Sequence, residues 1–143
     1  MTVVNTLTNR FKYGLMKKEV DLSTDSFKMA LMTSAFAFNP DTHEQYANVS
    51  ASEIAAGNGY TAGGKVLISG ELTQNNTTDK GVMTWSNNKW IASGGDFPAT
   101  GSAIIYDDTH ANKIVAGCID YGTDYTVVNG MTFQFTSIVL NLG

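Results

Sequence analysis

Residues 131–142 read MTFQFTSIVLNL, and the alternation within them decides the fold. Met131, Phe133 and Phe135 alternate with Thr132, Gln134 and Thr136, the period-two pattern of a strand with one buried face. After Ser137 the phase flips, and Ile138, Leu140 and Leu142 carry the apolar register. A shift of one residue exchanges the two faces of a strand, so it marks a bulge or a strand crossing between sheets. The pattern predicts a mainly β chain, an antiparallel β-sandwich of jelly-roll-like type, whose last strand is bent.

Working outward, FKMALMT (27–33) repeats the alternation. Further strands are expected at 65–72, 81–86, 102–107 and 113–121, separated by clusters of Gly, Asn, Asp and Thr. With no helical pattern between them, these strands pair antiparallel. The chain has 143 residues, enough for one domain spanning 1–143, and its 14 Gly against 2 Pro mean that turns rely on Gly, Asn and Asp. Within that domain, 65–142 holds the antiparallel strands.

Two regions break the pattern. Val4, Leu7, Phe11 and Leu15 recur at three and four residues, which predicts a short helix within an N-terminal arm, 1–20. Lys17 and Lys18 then fall in its last turn, facing the negative end of the helix dipole. Gly14 costs such a helix about 1 kcal/mol relative to Ala, so the stripe needs packing against something else. Residues 34–64 show no period, and a loop of that length has short structure of its own or a binding role. One helical turn is expected at 42–46 and another at 50–55, capped by Thr42 and Ser50.

Charge excludes some partners. Nine basic against thirteen acidic residues give a net charge of −4, and Lys12, Lys17 and Lys18 are the main basic cluster. That is no footprint for nucleic acid, and no apolar run is long enough to cross a bilayer as a helix. The opening residues lack a secretory pattern, so synthesis in a reducing cytoplasm is expected. A single cysteine, Cys118, forms no internal disulfide and no cysteine zinc cage.

Reactive groups do not converge. Asp107 and Asp108 are adjacent, so in a strand they point to opposite faces; DDTHAN (107–112) reads as a turn joining two strands. His43 and His110 lack metal-ligand spacing and read as surface residues. Cys118 lies in an apolar strand and reads as a small core hydrophobe. GNGYTAGG (57–64) lacks the Lys-Ser/Thr ending of a phosphate loop and leads into a strand. Trp85 and Trp90 read as packing residues, with stacking on a sugar as the alternative. The expectation is a non-enzyme with no cofactor and no bound metal.

Several segments, in order, carry a family signature: VDLSTDS around Asp21 to Asp25, DTH at Asp41 to His43, GYTAGG at Gly59 to Gly64, Trp85, YDDT at Tyr106 to Thr109, and IDYG at Ile119 to Gly122. Together they resemble a family of small tailed-bacteriophage virion proteins, across nearly the whole chain. The segment SNNKWIASGGDFPA (86–99) departs from that pattern in its second Trp and extra Gly. The resemblance implies a structural protein assembled in the host cytoplasm and located on the capsid surface, with the major capsid protein as partner. Capsid decoration is the role it suggests, and a tail, fibre or receptor-binding component is the alternative. A closed homo-oligomer, a trimer, is expected. The interface would use the N-terminal stripe (Val4, Leu7, Phe11, Leu15) with Tyr46, Tyr60 and Trp90.

Overall fold

The structure, a computed structural model, describes residues 2–143. Among them the chain is mainly β, with antiparallel sheets and two short helices. In order the elements are β1 (Thr2–Val3), β2 (Thr6–Leu7), α1 (Asn9–Met16), β3 (Phe27–Thr33), α2 (Tyr46–Val49), β4 (Lys65–Val66), β5 (Glu71–Asn75), β6 (Lys80–Trp85), β7 (Asn88–Ile91), β8 (Thr100–Asp107), β9 (Val115–Tyr125), β10 (Thr132–Phe135) and β11 (Ile138–Leu142). They form a five-stranded sheet, β2-β9-β8-β3-β4, a four-stranded sheet, β1-β11-β6-β5, and a two-stranded sheet, β10-β7.

The phase flip in the last strand is a change of sheet. β10 pairs antiparallel with β7, and β11 pairs antiparallel with β6. Between them Ser137 takes a left-handed backbone, φ 42°, and its N–H donates to Asn87 Oδ1 at 2.9 Å. The N-terminal segment crosses in the same way: β1 pairs parallel with β11, and β2 pairs with β9 of the five-stranded sheet.

That crossing corrects the N-terminal expectation. Only Asn9–Met16 is helical, and Val4 and Leu7 belong to extended chain. Their spacing suits a helix, but residues 2–7 gain more hydrogen bonds by adding to two sheets. Thr8 ends the extended stretch: its Oγ1 accepts from the Phe11 N–H at 3.0 Å and donates to Val115 O at 2.5 Å. One hydroxyl thus caps the helix and fastens it to β9. Lys17 and Lys18 lie just past the helix rather than in its last turn, with Lys18 at φ 63°. Gly14 is packed as expected, since a Cβ there would meet Val20 Cγ2 at 3.0 Å.

β3 spans the residues expected of it. The 65–72 strand is instead two strands, β4 and β5, with Ser69 between them at φ 55°. β7 was not anticipated, although its burial alternates, with Asn88 and Trp90 inward and Lys89 and Ile91 outward.

One core cluster joins the sheets: Phe27, Met29, Leu31 and Ile105 meet Met83, Trp85, Ile138 and Leu140, with Trp90 and Phe135 from the two-stranded sheet. The opposite face of the five-stranded sheet carries a second cluster, Ala30, Met32, Ile104, Tyr106, Val115 and Cys118, covered by Val49, Phe36, Phe38 and Tyr46 from the 34–64 loop. The loop is therefore a cover. The turn expected at 42–46 is displaced: α2 begins at Tyr46, with Gln45 and Asn48 forming a reciprocal cap. A 3-10 turn, Ser50–Ser52, follows.

Glu53 pins this cover. Its carboxylate accepts from Tyr60 Oη at 2.7 Å, from the Gly63 N–H at 2.8 Å and from Tyr46 Oη. Tyr60 Oη in turn accepts from the Leu31 N–H at 2.9 Å, and Tyr106 Oη donates to Gly63 O at 2.5 Å. Replacing Glu53 by Ala would strand two hydroxyls and an N–H, which we expect to cost about 3 kcal/mol, with a smaller loss for Glu53→Gln. Urea unfolding of the three proteins measures this; a loss below about 1 kcal/mol for Glu53→Ala would show the hub to be dispensable.

Candidate binding cleft

The residues expected at an interface lie largely in the chain's own core. Val4, Phe11, Tyr60 and Trp90 are buried, and Leu7 and Leu15 pack against the same cluster. Tyr46 is half-buried and stacks on Tyr106, ring centres 4.6 Å apart. Trp85 and Trp90 are each 3% exposed, which leaves no open ring face for a sugar and establishes the packing reading. Trp85 meets Phe27, and Trp90 meets Tyr60 and Phe135.

Open surface lies elsewhere, around an irregularity in β9. Ser102 is paired with Asp120 and Thr100 with Tyr125, so residues 121–124 of β9 loop out opposite the single residue Gly101. Gly122 supports the loop at φ +76°, and its N–H donates to Asp120 Oδ1 at 2.9 Å. A bulge re-aims side chains, and this one carries Asp124 across β8. A Cβ on Gly101 would lie 2.6 Å from Asp124 Oδ1, so the glycine makes room for the carboxylate.

The bulge forms one wall of a cleft of about 780 Å³; the other is the start of the 34–64 loop, with Phe36, Phe38 and Pro40, and Asn5 and Thr6 of the N-terminal segment close one side. Phe36 and Phe38 are half-buried, and both rings pack on His43, at 5.2 Å and 5.8 Å between centres. His43 is held by the Asn39 N–H, which donates to its Nδ1 at 2.9 Å. Ser102, its Oγ buried, and Cys118 also line the cleft. Burial pushes the Cys118 thiol up to about 12, so it is protonated and unreactive at neutral pH. Asn5 and Asp120 also border a second groove of about 740 Å³, where Tyr121, Tyr125, Phe133 and Phe135 pack ring on ring.

The cleft draws on residues 5–6, 34–40, 101–102 and 118–124, and sequence spacing does not bring these together. The one local signal is IDYGTDY (119–125), where a Gly interrupts a strand pattern.

Asp107 and Asp108 form the expected turn, with an addition. Asp107 Oδ1 accepts from the Thr109 N–H at 3.0 Å and the His110 N–H at 3.3 Å. Asp108, on the other side, pairs with Lys113 Nζ at 2.6 Å and Lys28 Nζ at 3.6 Å. Asp107 is 0% exposed, and its Oδ2 has no donor among the described residues. Burial, and then the facing carboxylate of Asp25, push its carboxyl up to about 7. Among the described residues no group of three or more His, Cys, Asp or Glu could hold a metal ion, and no helix is long and apolar enough to cross a membrane. No protein-family model, curated protein or solved structure matches the chain.

A carboxyl whose pKa is higher in the folded state stabilises the fold while protonated. That stabilisation is complete below the ordinary value of 3.8 and is lost as the pH rises through about 7. We expect the wild-type melting temperature to fall relative to that of Asp107→Asn between about pH 4 and pH 8, because the amide does not ionise. Parallel melting curves across the range would show that Asp107 is ionised throughout.

Proposed function

We propose that the chain is a non-enzymatic structural protein of a tailed-bacteriophage virion, a decoration protein that binds the outer capsid surface and bridges capsid subunits. The resemblance of its ordered motifs supplies the family. The observation that carries a docking role is the β5–β6 hairpin. β5 is the last strand of its sheet, and all five of its residues are exposed. Ile68 and Leu72, beside and on it, are 58% and 51% exposed.

An open strand edge with apolar side chains is a surface that a folded chain ordinarily hides or uses. Here it offers main-chain hydrogen bonds to a neighbouring protein, with the apolar residues adding contact. Repetition over a symmetric shell, with the chain as a trimer, would add many weak contacts into tight binding. The same surface is where this reading places the major capsid protein, in place of the buried N-terminal stripe. The finer architecture that goes with it is a β-sandwich, supported by the core shared between the sheets. Its hairpins β5–β6 and β8–β9 each pair neighbouring strands within one sheet.

The second reading, a tail or receptor-binding component, is favoured by one observation, the open cleft beside the β9 bulge. Counting copies in purified particles separates the two. A decoration protein is expected at on the order of hundreds of copies and should rebind stripped heads, with Leu72→Lys abolishing rebinding while leaving the melting curve unchanged. A receptor-binding component is expected at tens of copies or fewer, together with adsorption to host cells. Absence from purified particles would sink both readings.

A further inference from the structure

We infer that the cleft beside the β9 bulge binds an uncharged or amine-bearing sugar unit of an oligosaccharide. A sugar ring presents an apolar C–H face and a rim of hydroxyls, and the cleft offers a complement to each. Phe36 and Phe38 supply the aromatic surface, and their packing on His43 holds them in place before any ligand arrives. Asp124 supplies an acceptor for adjacent hydroxyls: its carboxylate is exposed, has no ion pair among the described residues, and is aimed across Gly101 by the bulge.

One further group adds polar specificity. Asn5 uses its Oδ1 to accept from the Asp120 N–H at 2.7 Å, which leaves its amide hydrogens for a ligand. The volume, about 780 Å³, lies within the range of small-ligand sites.

Charge decides the class. Among the described residues Asp120 and Asp124 line the cleft, and no Lys, Arg or His does. A sialylated, uronic or phosphorylated sugar would bring a second negative charge with nothing to balance it, whereas a hexosamine would gain an attraction. The inference deepens the receptor-binding reading, but it concerns the isolated chain and stands whatever the chain's position on a particle.

The test is NMR titration of the full chain with glucose, galactose, N-acetylglucosamine and glucosamine, and with 3′-sialyllactose as the acidic probe. At least one of the first four should give saturable shifts at Asn5, Gly101 and Asp124, with dissociation constants of about 1–10 mM, and sialyllactose should give none there. Asp124→Asn and Phe38→Ala should each weaken binding about tenfold or more. Gly101→Ala, which displaces the Asp124 carboxylate without altering it, should do the same. Unchanged amide spectra away from the cleft would establish that the variants are folded. No saturable shifts from any of the four, binding that survives all three substitutions, or preference for sialyllactose overturns the assignment. Copy number on particles is read separately, so failure of the sugar site and failure of the virion role are distinguishable.

Discussion

Strand β8 is apolar on both faces, with Ala103 and Ile105 toward one cluster and Ile104 and Tyr106 toward the other. A strand so placed must be covered twice, because each apolar side chain left in water forfeits roughly 1.5–3 kcal/mol. One cover is the pair of smaller sheets. The other cannot be a sheet, because no strands remain to build it. The 34–64 loop takes that place, with Val49 buried and Phe36, Phe38 and Tyr46 laid against the second cluster.

A loop used as a cover brings polar backbone and tyrosine hydroxyls close to an apolar face, and these need partners. The Glu53 carboxylate answers that need, since one acceptor group takes hydrogen bonds from three donors. The consequence reaches the cleft. At the leading end of the loop Phe36 and Phe38 pack against the second cluster and are only half-buried, so they also form a wall of the cleft. The cleft is thus what remains between a pinned cover and a strand that bulges.

Local pattern made these strands legible in the sequence. FKMALMT and the register flip at Ser137 are periodicity made visible, and both correspond to observed elements. Val4 and Leu7 misled because a segment that touches two sheets in succession places its apolar residues at the interval a helix uses. β7 was missed because its outward residues include Ile91 and its inward residues include Asn88, so hydropathy does not follow burial. Tyr46, Tyr60 and Trp90 were legible as important but not in kind: large amphipathic side chains suit an interface and a hydrogen-bonded core equally well. The cleft was illegible because its walls are joined only by the five-stranded sheet and the turn that leads from it.

Asp107 and Asp108 show how far composition alone can go. Their adjacency at a turn was readable, and so was the opposite direction of their side chains. What followed from that divergence was not. Asp108 faces Lys113 and Lys28, and the Lys113 hydrogen bond holds its carboxyl below the usual carboxylate range. One residue earlier the same group turns inward, loses water and meets Asp25, and its affinity for a proton rises. Strand geometry sends neighbours to opposite faces, and the fold determines what each face contains. Identical residues therefore shift in opposite directions, and beside them the Asp21–Ser26 turn is fastened to the end of β8 by their neighbours: the Asp108 N–H donates to Ser26 O at 2.8 Å and the Ser26 N–H to Thr109 Oγ1 at 2.8 Å.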